Sequence, residues 1–140
     1  MQVDRCGKLA NVDAPHLDPD APALADVVPA VLSTLGVTGF DSRLELPGPA
    51  RGACVLLVDG LGAELLDAHT GDAPVLAGLR GKTLQVGFPS TTAAGLAAIG
   101  TGCRSGEHGL VGMSFRVPDV SDVPVLNALR WRPHPRGEDL

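Results

Sequence analysis

The sequence predicts an α/β fold in which a mostly parallel sheet carries helices on both faces, and three observations predict it. Ala53-Cys54-Val55-Leu56-Leu57-Val58 is a short unbroken apolar run between a glycine turn and Asp59-Gly60, the pattern of a parallel strand buried on both faces. Leu61 to Ala68 gathers Leu61, Leu65 and Leu66 on one helical side, and Pro74 to Leu79 reads as a second short helical piece. Lys82-Thr83-Leu84-Gln85-Val86 then alternates polar and apolar residues as a second strand. Strand, helix, strand is the βαβ order, whose right-handed crossover makes the two strands parallel.

In chain order, residues 1–22 are polar and proline-interrupted and are expected to form an irregular lead-in. Residues 23–131 are expected to form the α/β domain. Its first helix spans Ala23 to Leu35, with Leu24, Val27, Val28, Val31, Leu32 and Leu35 at helical spacing and Gly36 as C-cap. Pro29 either kinks that helix or marks its true first turn. Gly36 to Gly52 is loop, punctuated by Pro47, Gly48 and Pro49. After the second strand, Gly87 to Gly109 opens with Phe88-Pro89 and presents Ser90-Thr91-Thr92 where a helix of very small residues begins. It closes in the glycine-rich segment Gly100 to Gly109. Leu110 to Val117 reads as a third strand, Val123 to Trp131 holds a short apolar segment, and 132–140 is a polar tail at which the domain is expected to be truncated.

Composition excludes several functions. With 44 % apolar and 19 % charged residues, 140 residues suffice for one modest globular domain. A net charge of −5 and 3 % aromatic residues leave neither a basic surface for a phosphate backbone nor platforms for bases, so no nucleic-acid partner is expected. The three cysteines, Cys6, Cys54 and Cys103, are too scattered for a disulfide framework or a cysteine zinc site, and a reducing cytoplasm is expected. No apolar run approaches membrane-spanning length, so no membrane partner is expected. There is no G-x-S-x-G elbow, Walker loop or H-E-x-x-H segment.

Asp59 and the Ser90-Thr91-Thr92 cluster both lie just past the carboxyl ends of the predicted parallel strands, the edge at which open α/β sheets bind ligands. A carboxylate and a hydroxyl there supply two oxygen ligands to one metal. Zinc accepts such ligands, and a zinc-bound hydroxyl loses its proton far more readily than a free one, which makes a nucleophile for phosphorus. The competing reading is structural, with Asp59 a turn residue and the hydroxyls a helix cap.

Val55-Leu56-Leu57-Val58-Asp59-Gly60-Leu61, Phe88-Pro89-Ser90-Thr91-Thr92, Thr101-Gly102 and Gly106-Glu107-His108-Gly109-Leu110-Val111-Gly112 resemble, in order and spacing, the N-terminal third of the type I phosphodiesterase/nucleotide pyrophosphatase family, a branch of the alkaline phosphatase superfamily. The resemblance covers about Ala53 to Met113. It implies a partial alkaline-phosphatase-like α/β sandwich, with Asp59 a zinc ligand and Thr92 both nucleophile and ligand to the same zinc. Thr91 is the competing hydroxyl. The substrate implied is a small phosphodiester or a nucleotide, and full-length members carry two Zn2+. Where many members place Phe-Pro-Asn-His after the nucleophile, this chain has Ala93-Ala94-Gly95-Leu96, and Met113 stands where they place an asparagine that bonds the phosphoryl oxygen. A thioether cannot donate that bond.

The family's further ligands, from an Asp-x-x-x-His segment, an Asp-His pair and a final histidine, have no counterpart after Trp131, where His134 is the only histidine. The chain is therefore expected to be an N-terminal fragment holding at most a partial metal site. The alternatives are a catalytically incompetent anion-binding or interaction remnant, and another hydrolase of the superfamily. His108, in its glycine-rich turn, is expected to be structural.

Overall fold

A computed structural model describes residues 17–41, 43–117 and 125–133. Most of the expected lead-in, through residue 16, and the tail from residue 134 onward therefore lie outside the described residues.

The first helical run divides in two. A 3-10 turn at Leu24–Asp26 leads into α1 at Val27–Thr34, which puts Pro29 in the first turn, where a missing N–H breaks no intrahelical bond. The Asp26 carboxylate accepts from the Ala23 N–H at 2.8 Å, and Gly36 follows α1 at φ +82°. Two short helices, α2 (Ala63–Ala68) and α3 (Pro74–Gly78), pack on each other. Next, α4 (Thr92–Thr101) packs against the 3-10 turn, α1 and α5 (Ser105–His108).

The expected parallel sheet is not formed. The sheet among the described residues is antiparallel, with two-residue strands β1 (Ser114–Phe115), β2 (Leu126–Asn127) and β3 (Arg132–Pro133) in that spatial order. Ser114 stands opposite Asn127, and Leu126 opposite Pro133. Asn127 closes the β2–β3 turn, its Oδ1 accepting from the N–H groups of Leu129 and Arg130 at 3.0 and 2.9 Å. The third expected strand is thereby reduced to Ser114–Phe115, paired with the apolar segment that follows it.

At Gln85 the second predicted strand meets a different neighbour. The Gln85 N–H donates to the Pro22 carbonyl at 2.9 Å and its carbonyl accepts from the Leu24 N–H at 3.0 Å, so the second predicted strand is engaged by the chain beside Ala23. That contact is an isolated parallel bridge, Ala23 to Gln85. Ala53–Val58 has no ladder partner among the described residues, and a strand of its composition needs neighbours at both edges and cover on both faces. Val55, Leu56, Leu57 and Val58 are instead exposed, Leu56 to 80 %. An alkaline-phosphatase-like sandwich with helices on both faces is thus replaced by a helical cluster beside a small antiparallel sheet.

The core sits between α4 and the segment Ala23–Thr34, and its buried members are alanines: Ala23, Ala25, Ala30, Ala93, Ala94 and Ala98. Small side chains let the backbones approach closely. The approach is tightest at Gly102, which ends α4 at φ +70° and would place a Cβ 3.0 Å from Pro29 Cγ. A left-handed conformation costs a residue with a Cβ about 1–2 kcal/mol. Gly102→Ala is expected to lower unfolding stability by at least that amount, as read from a urea or thermal transition, because strain and contact act together.

Candidate active site

Asp59 and Thr92 are brought together although 33 residues separate them: the Thr92 hydroxyl donates to Asp59 Oδ2 at 3.1 Å. Each is placed by a local device. Gly60, at φ +77°, lets the chain turn directly after the apolar run and leaves the Asp59 carboxylate at the bend. Thr92 is the first residue of α4 and is aimed by the residue before it. Thr91 is the N-cap, its Oγ1 accepting from the Ala94 N–H at 3.3 Å and donating to the Val111 carbonyl at 3.2 Å.

The hydroxyl cluster is therefore divided by role. Thr91 spends its hydroxyl on the helix end and on the loop before β1, and Thr92 turns its own toward the carboxylate. The Thr91 contact with Val111 was not foreseen from sequence, although a threonine one residue before a helix signals a cap. Backbone N–H groups add a second feature. Those of Thr92 and Ala93, at the start of α4, have no acceptor among the described residues, and such groups favour an anion.

Asp59, Thr92, Ser90 and Thr91 line an open cleft of about 630 Å³ whose apolar wall includes Leu57, Leu96 and Ile99. Ala93-Ala94-Gly95 contributes no bulk beyond that wall, because Ala93 and Ala94 turn into the core. Met113 does not line the cleft; its side chain is exposed and its carbonyl accepts from the Ala128 N–H at 2.7 Å. Arg104 donates from its guanidinium to the Ala21 carbonyl at 2.9 Å and so ties α5 to the chain before the first helix.

Two oxygens from Asp59 and Thr92 fit one side of a divalent-cation site. They do not complete it: among the described residues no group of three or more His, Cys, Asp or Glu comes together. His108 is not an unrecognised ligand. Its Nδ1 accepts from the Leu110 N–H at 3.0 Å, which puts the proton of the neutral ring on Nε2, and that atom is buried without a partner among the described residues. His69 is exposed beside Asp72, at 3.0 Å, on the surface after α2.

A family model for type I phosphodiesterase / nucleotide pyrophosphatase matches residues 53–135, more than half of the chain. The chain belongs to this family. The match begins at the apolar run that ends in Asp59 and takes in all of α4, so both members of the Asp59–Thr92 pair lie inside it. No curated protein and no solved structure matches the chain. The phosphodiesterase family is generally metal-dependent, and in this member the described residues offer the two oxygens above. Among the described residues no helix is long and apolar enough to cross a membrane.

Proposed function

We propose that this chain carries the nucleophile portion of a zinc-dependent phosphodiesterase or nucleotide pyrophosphatase, acting in the cytoplasm on a small phosphodiester or nucleotide, and that Thr92 is the nucleophile. The observation that carries the reading is the 3.1 Å hydrogen bond from Thr92 to Asp59 inside the cleft, at the start of a helix and within a phosphodiesterase-family match. Thr92 Oγ1 forms the bond to phosphorus, the bond to the leaving oxygen breaks, and water later cleaves the threonyl ester. Asp59 holds the hydroxyl in line, and the free N–H groups of Thr92 and Ala93 face the phosphoryl charge in place of the asparagine that Met113 does not supply.

Asp59 and Thr92 would hold zinc together with donors from sequence outside the described residues. Bound zinc would supply Lewis acidity that lowers the hydroxyl pKa.

The test is to quench turnover of a chromogenic phosphodiester with acid and map the adduct by peptide mass spectrometry. A phosphoryl group on Thr92 is expected; one on Thr91 or Ser90 overturns the assignment. A second reading, a catalytically silent anion-binding remnant, is favoured by the short donor set. Stoichiometric zinc together with chelator-sensitive turnover by the 140-residue chain would dispose of it.

A further inference from the structure

His108 has no part in the proposed chemistry, and its ring is committed on one side only. The neutral imidazole accepts from the Leu110 N–H through Nδ1 at 3.0 Å and keeps its proton on Nε2, which is buried with no partner among the described residues. The contact reaches two residues along the chain, as in an Asx turn, with a ring nitrogen in the place of a side-chain oxygen. We propose that His108 is an acid-sensitive catch: neutral, it holds the turn Gly109–Val111 against the start of α4, and protonated, it releases that turn. The inference is independent of the phosphodiesterase reading.

Three consecutive residues carry the argument. Helix α5 ends at Gly109, which lies at φ +75° and donates its N–H to the Ser105 carbonyl at 2.9 Å. The next N–H, that of Leu110, has no carbonyl acceptor among the described residues and depends on His108 Nδ1. One residue further, the Val111 carbonyl accepts from the Thr91 hydroxyl at 3.2 Å, and Thr91 is the N-cap of α4. The ring therefore fixes the turn that meets the helix cap.

A protonated imidazole carries N–H on both nitrogens and accepts at neither, so Nδ1–H and the Leu110 N–H become two donors facing each other across 3.0 Å. One of them must turn away. No neighbouring anion gives the cationic ring a replacement contact. Glu107 uses Oε2 on the Arg104 N–H at 2.7 Å, the Arg104 guanidinium reaches the Ala21 carbonyl, and no carboxylate pairs with the His108 ring among the described residues. Asp26 and Arg43 border an open pocket beside Arg104 and Glu107, and His108 does not line it. The elements packed on α5 are α4 and the segment 85–91, which brings Gly87 to Ser105; neither they nor the turn itself carry an ionisable side chain.

Nuclear magnetic resonance of the 140-residue chain tests this in two steps. At neutral pH the ring nitrogens of His108 are expected to show the Nε2–H tautomer, and the Nδ1–H tautomer overturns the proposal without any substitution. Between about pH 8 and pH 5 the exchange protection of the Leu110 amide, corrected for intrinsic exchange rates, is expected to fall about tenfold or more. An amide equally protected at both ends of that range also overturns it. His108→Asn keeps an acceptor two residues before Leu110 but does not titrate, so its Leu110 protection is expected to hold within about threefold over the same range. Both chains carry the same aspartates and glutamates, and an equal loss of protection in the two would assign the effect to those groups and sink the catch. Should His108→Asn not fold, the tautomer and the acid response of the parent chain still decide.

Discussion

Thr92→Ala is expected to lower phosphodiester turnover by about 10³-fold or more, while Thr91→Ala leaves the chemical step largely intact and lowers stability. The two residues are neighbours with the same side chain, so the comparison isolates what each hydroxyl does. Thr92 donates to Asp59, and its loss removes the attacking oxygen. Thr91 instead satisfies the Ala94 N–H and reaches the Val111 carbonyl, and losing a cap of this kind costs about 1 kcal/mol. Steady-state rates and urea midpoints measured on the same two variants should therefore move in opposite columns: rate for Thr92, midpoint for Thr91. Thr92→Ser keeps an oxygen in place and is expected to retain part of the rate. If Thr91→Ala were the silent enzyme and Thr92→Ala merely less stable, the nucleophile would be misassigned.

That division was only half legible in the sequence. Strand-end placement brought Asp59 forward with the Ser90-Thr91-Thr92 cluster, the family resemblance singled out Thr92, and the family match over residues 53–135 covers both. What spacing could not supply was the identity of the cap, because Ser90, Thr91 and Thr92 are all competent N-caps and the choice depends on which backbone N–H each hydroxyl meets. Helices were legible where their ends were marked: α3 begins at Pro74 and α4 ends before Gly102 in a left-handed conformation. The sheet was not. Ala53–Val58 has the composition of a buried parallel strand, but composition states only what the segment needs and not whether its neighbours are present. Gln85, near the centre of the second predicted strand, pairs on one edge with Pro22 and Leu24, a long-range contact that no local period encodes. Of the small antiparallel sheet only β1 falls within an expected strand, Leu110 to Val117, and β2 and β3 were missed for a related reason. Strands of two residues carry too little alternation to be read, and only the Asn127 turn marks the β2–β3 corner.

Ala94→Leu is expected to be the most damaging single substitution in the core, lowering stability by about 1–3 kcal/mol. Ala94 is 2 % exposed on a helix face made only of alanines, against a segment whose own buried residues are Ala23, Ala25 and Ala30. A leucine there enters a cavity of about 170 Å³ bordered by Leu17, Leu24 and Phe88, and whatever bulk those side chains do not accommodate displaces the helix. Moving its first turn carries Thr92 away from Asp59. Overpacking at a residue that lines no catalytic contact should then lower turnover as well as the unfolding midpoint, because displacements of about 1 Å in positioned groups cost on the order of 10²-fold. Leu96→Ala is the control: it removes a larger side chain from the same helix, but from a residue exposed in the cleft wall, and should change the midpoint little. A chain in which Ala94→Leu moved neither quantity would have slack between α4 and the first helix. The Asp59–Thr92 distance would then owe nothing to the close approach of those two backbones.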